Sequence, residues 1–454
     1  MSSSPMPWRL QQELRACVQL SFPLAIAQLS EAATNFVDTM MMGWLGEQSL
    51  AAGALGSTSV MSLLIIGVGC VSSVGTVAAI AIGAGQRDRL PTISIHGLLF
   101  TLLIATPLSL IVWNLATALP YLGQSVTNTE LAQGYLQAIA WGIPAALGFS
   151  LIRNLASAVN QPQIIMQIMG LGIALNVVLN YGLMFGRWGL PELGLAGLGW
   201  ASTIAFWVKF AIALSIIFSR PSFRPYRFFA RCPWQPAMMA ELFRIGIPYG
   251  SLMTLETGLF LCVTYLMGTL STTALAAHQI AIQTAAITFM IPLGISHATA
   301  VRVGQFYGQG NRRGMRQAGC VGIGLGTLFM SCMGVLFWLL PDLIIGIYLD
   351  RTNPDNTAVI HYAVQLLRVA ALFQVFDGIQ VIANGALRGL KDTYAPMWIG
   401  LLSYWGMGLG CSYLLGIVGP WQGVGLWIGL VWGLIVAAVV LTGRFLRQTG
   451  TTIA

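Results

Sequence analysis

Gln28, Glu31, Asn35 and Asp38 step along the chain by three, four and three residues, the spacing that puts side chains on one face of a helix. The residues around them are mostly apolar. An acid in such a stretch is costly: insertion scales put a mid-membrane Asp at about 2.5–3.5 kcal/mol, so an intramembrane carboxylate is a functional candidate by default. Four acids stand in such stretches: Glu31, Asp38, Glu256 and Asp377. None has a basic residue one turn away. Protonation or a bound cation is then the natural way to neutralise each, which is the chemistry of a proton or sodium relay.

Other polar residues fall where they could complete such sites. Asn176 and Asn180 are one turn apart and offer amide oxygens beside a carboxylate. A second stripe runs Gln374, Asp377, Gln380, Asn384 and Arg388, and Gln279 and Gln283 form a further one-turn pair. Glu256 and Asp377, on separate helices, could hold a hard cation such as Na+ through oxygen ligands or share a proton. The competing reading of all these groups is helix glue by interhelical hydrogen bonds. Glu31 has two readings, facing a central cavity or pairing with a neighbouring helix. His278 and His297 read as packed or hydrogen-bonded residues. Met40, Met41, Met42, Phe289 and Met290 would suit a cavity for greasy substrates, and equally suit lipid-facing or core positions.

The elements that must carry these residues follow from composition. Of 454 residues 56% are hydrophobic and only 8% charged, against about 25% charged in soluble domains; the mean hydropathy is +0.76. Apolar stretches of about 20 residues, enough to cross a bilayer core, recur throughout. They fall at 16–40, 50–77, 94–119, 131–157, 163–186, 195–219, 241–268, 275–303, 317–341, 358–387, 395–417 and 422–445. Only helices or closed barrels satisfy backbone groups in lipid, so all are expected to be helices. No cleavable leader is expected ahead of the first.

The chain also repeats itself. At a constant offset Pro23 meets Pro248, Glu31 meets Glu256, Met42-Gly43 meets Met267-Gly268, Leu50-Ala51-Ala52 meets Leu275-Ala276-Ala277, and Gly69 meets Gly294. One six-helix module written twice predicts an all-α integral membrane protein. Its twelve transmembrane helices form two six-helix lobes related by a pseudo-two-fold axis along the membrane normal. The expected division is an N-terminal lobe at 1–219, a basic cytoplasmic linker at 220–240 and a C-terminal lobe at 241–454.

Most of the 22 Lys and Arg fall in the termini and in the loops after helices two, six, eight and ten, while the opposite side collects Glu47, Glu130, Glu192, Asp342, Asp350 and Asp355. The positive-inside rule places both termini in the cytoplasm. The net charge of +8 is then topology, and no nucleic-acid partner is expected. Arg220, Arg224, Arg227 and Arg231 in the linker read as a topogenic loop or as contacts to anionic lipid heads. The seven cysteines show no metal-ligand spacing.

Phe36-Val37-Asp38-Thr39-Met40, Asn176-Val177-Val178-Leu179-Asn180-Tyr181, Leu275-Ala276-Ala277-His278-Gln279 and Ala386-Leu387-Arg388-Gly389-Leu390-Lys391-Asp392 occur in that order. Together they resemble the multidrug and toxic compound extrusion (MATE) transporters, closest to the NorM-like bacterial branch. The resemblance implies two lobes around a central cavity in a bacterial cytoplasmic (inner) membrane, exporting cationic or amphipathic organic compounds in exchange for Na+ or H+. It implies coupling roles for Asp38, Asn176 and Asn180 in the first lobe and for Glu256 and Asp377 in the second. Glu31 stands where an uncharged residue is expected, and Phe373 where a tyrosine often accompanies the aspartate. Gln28, Glu31, Asn35, Gln279, Gln283, Phe289, Met290, Gln374 and Gln380 are the expected cavity lining. No cofactor beyond the coupling ion and no catalytic residue is expected, membrane lipids are the surroundings, and a monomer is anticipated. No GxxxxGK[ST] motif is present for nucleotide coupling. The acids are too scattered for an interfacial enzyme. A flippase for lipids or lipid-linked precursors is the alternative, and it would call for a more cationic cavity.

Overall fold

The computed structural model describes residues 6–120 and 126–450, so the outermost residues of the two expected lobes, 1–5 and 451–454, lie outside it. The described chain is helical without strands. Its helices are α1 Met6–Trp44, α2 Glu47–Gly83, α3 Leu90–Ala118, α4 Val126–Ala140, α5 Ile143–Ala158, α6 Gln163–Phe185 and α7 Gly194–Ser219. They continue as α8 Pro236–Leu270, α9 Thr272–Gly308, α10 Arg312–Leu339, the short α11 Pro341–Ile345, α12 Thr357–Gly389, α13 Tyr394–Val418 and α14 Gln422–Thr449.

All twelve expected stretches lie on these helices, with two differences. The stretch 131–157 is not one helix: α4 and α5 meet at a 44° bend. Pro144 has no N–H for the carbonyl of Ala140 and disfavours helical geometry at Ile143 before it, so the ladder breaks there. Ten described helices are long and apolar enough to cross a membrane, and the bent pair adds an eleventh. α1 is not among them because the polar face around Gln28 and Glu31 lowers its hydropathy. The second difference is in α13, where Leu401–Leu409 and Leu414–Val418 wind as π-helix, a geometry often found at functional sites.

Packing divides the chain into two compact units. One contains the chain up to Ala25 and again from Ser251 onward; the other is Ile26–Gly250. The expected lobes follow the chain, whereas these units exchange the opening stretches of α1 and α8. Both boundaries fall two residues after a helix-interior proline, Pro23 or Pro248, at equivalent positions of the repeat.

Close backbone approach holds each exchanged stretch. In the Ile26–Gly250 unit a Cβ on Gly246 would lie 2.5 Å from the Cys70 carbonyl oxygen, and one on Gly250 would lie 2.9 Å from that of Ile66, so α8 runs directly against α2. In the other unit a Cβ on Gly294 of α9 would lie 2.6 Å from the backbone of Ala25, the repeat equivalent of Gly250. There Arg302 also grips Glu13 of α1 through Nε at 2.9 Å and Nη2 at 2.5 Å, with both side chains largely buried. The linker is ordered against its own unit. Gln235 N–H donates to His96 Nε2 at 2.9 Å, Trp234 stacks on that imidazole, and Arg87 lies over the Tyr226 ring.

Gly246→Ala is expected to destabilise the protein by about 1–3 kcal/mol, the usual range for overpacking, seen as a lower unfolding temperature in detergent. Gly43→Ala, where an added Cβ meets nothing within 4 Å, is expected to leave that temperature unchanged or raise it.

Candidate functional site

In the Ile26–Gly250 unit the face read from α1 meets α5, α6 and α7. Asp38 accepts a hydrogen bond from Asn180 Nδ2 at 2.6 Å, and the same amide donates to Asn176 Oδ1 at 3.1 Å. Asn176 in turn donates to Ser202 of α7 at 3.3 Å. Both asparagines are buried, and Tyr135 of α4, also buried, is electrostatically coupled to Asp38. The sequence-predicted trio Asp38, Asn176 and Asn180 is therefore one connected group. The one-turn spacing on α6 is what lets a single amide row face α1.

Of the two readings of Glu31, the neighbouring-helix one fits, although the α1 sequence alone offered no basic partner. Arg153 of α5 lies 3.8 Å from its carboxylate, donates to Gln28 Oε1 at 3.2 Å and reaches Ser150 at 3.3 Å. Glu31 and Gln28 thus come together on a guanidinium. Asn35 is exposed, with Met61 Sδ at 4.0 Å. The sequence reading gave no role to Arg153 or to Lys209 of α7. Lys209 stretches over Gly172, where a Cβ would come within 2.5 Å of its stem, and its ammonium sits 4.7 Å from the centre of the Phe206 ring. It interacts electrostatically with Glu31, Asp38 and Arg153. The signal for both was available, because the rule that flags intramembrane acids flags bases as well.

In the second unit Gln380 joins the two acids. Its Nε2 donates to Glu256 Oε1 at 2.8 Å and to Asp377 Oδ1 at 3.2 Å, while its Oε1 accepts from Tyr404 Oη at 2.6 Å and Asn384 Nδ2 at 3.1 Å. All five side chains are buried. The helical stripe on α12 places Asp377, Gln380 and Asn384 in line. Tyr404 comes from the π-wound part of α13, and Trp405 beside it donates to the Leu255 carbonyl, tying α13 to α8 next to Glu256. Phe373 does not occupy a polar position: it packs among Trp427 and Phe260. The phenol at this site comes from Tyr404, which no sequence spacing connects to Asp377.

The remaining candidates lie elsewhere. Gln374 Oε1 accepts from Thr288, Gln279 and Gln283 are exposed, Met290 is half-buried, and Phe289 packs against Ile295, Val381 and Ile382. His278 bridges Thr264 and the Trp427 indole, and His297 meets Arg388. Among the described residues no three His, Cys, Asp or Glu side chains gather as a metal site. A cation here would depend on two carboxylates plus neutral oxygens, and as the site stands Gln380 presents its NH2 to the carboxylates while its Oε1 faces Tyr404 and Asn384.

Membrane-length helices that carry acids held by neutral amides are the makings of a membrane transporter. The chain matches the MatE family over residues 23–182 and 248–414 and belongs to it. It is 40% identical to the probable multidrug resistance protein NorM of Synechocystis sp. over 98% of this chain and 97% of that one. Identity is 39% to the protein of the same name from Pseudomonas aeruginosa, over 96% and 90%. Among solved structures, the eukaryotic MATE transporter AtDTX14 superposes with a TM-score of 0.86 at 20% identity, covering 97% of this chain and 98% of that one. An outward-facing multidrug resistance MATE family transporter gives 0.87 at 18%, covering 99% of both.

A double-mutant cycle on Glu31→Gln and Arg153→Met is expected to give a coupling of about 1 kcal/mol or less, because the Glu31 side chain is 46% exposed. Arg153→Met alone is expected to cost more, about 1–3 kcal/mol, since it also strips Gln28 of its donor. Unfolding of the four proteins in detergent measures both quantities.

Proposed function

We propose that this protein is a secondary active efflux transporter of the bacterial inner membrane, exporting cationic or amphipathic organic compounds in exchange for Na+ or H+ by alternating access. The observation that carries the reading is that each unit holds acids on neutral amides: partly buried Asp38 on Asn180, which also reaches Asn176, and buried Glu256 with Asp377 on Gln380. An acid held by a neutral amide keeps its charge available to a proton, a metal ion or an organic cation. Glu256 and Asp377 have no Lys or Arg within ion-pair distance among the described residues, and in the other unit the acids Glu31 and Asp38 stand against the bases Arg153 and Lys209. That balance favours cationic cargo over the anionic head groups a lipid flippase would handle. The relatives' printed names, probable multidrug resistance protein, point the same way.

In this scheme a coupling ion entering from outside occupies or neutralises the carboxylates and loosens the substrate, which leaves outward. The emptied acidic sites then favour a cation from the cytoplasm. Each ligand shifts the conformational balance only by its difference in affinity for the two states. Pro23 and Pro248 supply bend points at equivalent places in α1 and α8. The basic loops put both termini in the cytoplasm, lipids surround a single chain, and no cofactor is needed beyond the coupling ion.

The test is efflux of a fluorescent lipophilic cation from proteoliposomes under an imposed sodium gradient and then a proton gradient, each collapsed in turn. Transport is expected with one of the two gradients and is expected to fall to background in Asp38→Asn and Asp377→Asn, with normal membrane insertion. Undiminished efflux in both variants would sink the scheme. Asn180→Ala, which removes the buried amide oxygen beside Asp38 that has no hydrogen-bond partner among the described residues, is expected to weaken cation binding about tenfold.

A further inference from the structure

Gln380 stands between the two acids of its unit in an unusual way. One NH2 group serves both carboxylates, Glu256 at 2.8 Å and Asp377 at 3.2 Å. Two buried carboxylates repel strongly where the dielectric is low, and a group with positive hydrogens between them relieves that repulsion. This is the work a cation would do in the same place. The amide is aimed there by its other end, since Oε1 takes the Tyr404 hydroxyl at 2.6 Å and the Asn384 amide at 3.1 Å.

The same side chain can serve the opposite purpose. The last torsion of a glutamine is broad and close to two-fold, and its oxygen and NH2 are similar in size, so half a turn exchanges them without new space. Turned, Oε1 would face the carboxylates. That is unfavourable with the site vacant and favourable with a hard cation between the three groups, which take oxygen ligands. The displaced NH2 would need acceptors where Oε1 now lies. The Tyr404 hydroxyl has lone pairs, and Asn384 carries a buried Oδ1 with no hydrogen-bond partner among the described residues.

We propose that Gln380 is the site's own stand-in for the coupling cation: its NH2 bridges Glu256 and Asp377 when the ion is absent, and its amide turns to offer Oε1 as a ligand when a monovalent metal ion enters. The inference rests on the reading of Glu256 and Asp377 as the ion site. The turn ties ion entry to a reversal of the hydrogen bonds reaching Tyr404 on α13 and Asn384 on α12. Neutral Gln380 does not itself titrate. The charged groups it touches are Glu256 on α8 and Asp377 on α12.

The experiment is a sodium titration of the purified full-length protein at fixed pH and constant ionic strength, with choline as the replacement ion. The readout is the unfolding temperature. Wild type is expected to be stabilised by sodium, and Glu256→Gln and Asp377→Asn to lose that response. Gln380→Met keeps the length of the side chain and removes both amide atoms. It is expected to raise the half-effect sodium concentration at least tenfold. Gln380→Asn, one methylene short of the carboxylates, is expected to raise it at least threefold and serves if the Met variant does not fold. An unchanged or lower sodium requirement in these variants would overturn the proposal, because an amide that only blocks the site would, once removed, let sodium bind more tightly. If wild type ignores sodium, or the two carboxylate variants keep its response, the sodium-site reading itself fails and takes the Gln380 proposal with it.

Discussion

A carboxylate away from water must be answered by the protein, and the rest of this structure is arranged around how each interior acid is answered. Asp38 is met by the Asn180 amide, Glu256 and Asp377 by the Gln380 amide, and Glu31 by the Arg153 guanidinium. Glu13 is gripped by Arg302. A guanidinium in close contact offsets the charge it meets, as Arg302 does on buried Glu13, while half-exposed Glu31 is answered by water as well as by Arg153 at 3.8 Å. An amide donates hydrogen bonds yet leaves the charge in place, and in a low dielectric that charge remains a strong attractor for a mobile cation. The choice of partner therefore separates acids that hold helices together from acids that remain open to an ion.

The duplicated scaffold makes this division visible. Glu31 and Glu256 are equivalent positions of the repeat, and both exchanged stretches seat by close backbone approach, with the glycines on α8 itself in one unit and on the receiving α9 in the other. The backbone architecture has been kept while the partners have diverged. In one half the repeated glutamate lies 3.8 Å from Arg153, and the acid proposed to take the ion lies two turns further along at Asp38. In the other the repeated glutamate is itself part of the proposed ion site, joined to Asp377 through Gln380. The two units thus carry sites of different composition on one scaffold: one with asparagines and a nearby Lys209, the other with a second carboxylate and a phenol.

Much of this was legible before any coordinates. The twelve apolar stretches follow from length and composition, because lipid leaves few ways to satisfy a backbone. The stripes Gln28 to Asp38 and Gln374 to Arg388, and the Asn176–Asn180 pair, lie on unbroken helices, so each shares a face as its spacing requires. Pro144 signals the break between α4 and α5 only once the residue before it is weighed, since hydropathy runs unbroken through the bend. Arg153 was visible as an intramembrane base, but its role depends on α5 lying beside α1, which spacing cannot state.

The sequence by itself determined what is local or additive: that the chain spans a membrane as helices, that it is one module repeated, and which residues on each helix are too polar to face lipid. Tertiary structure alone decided which of these polar residues meet. It put the Tyr404 phenol, not residue 373, on Gln380, Arg153 near Glu31, and Gln380 between Glu256 and Asp377. It also moved the opening stretches of α1 and α8 into the opposite compact units. The physical reason is that hydrogen bonds and ion pairs depend on distances of a few ångströms between helices far apart in the chain. Periodicity sets where each side chain points on its own helix, while only packing sets what stands opposite.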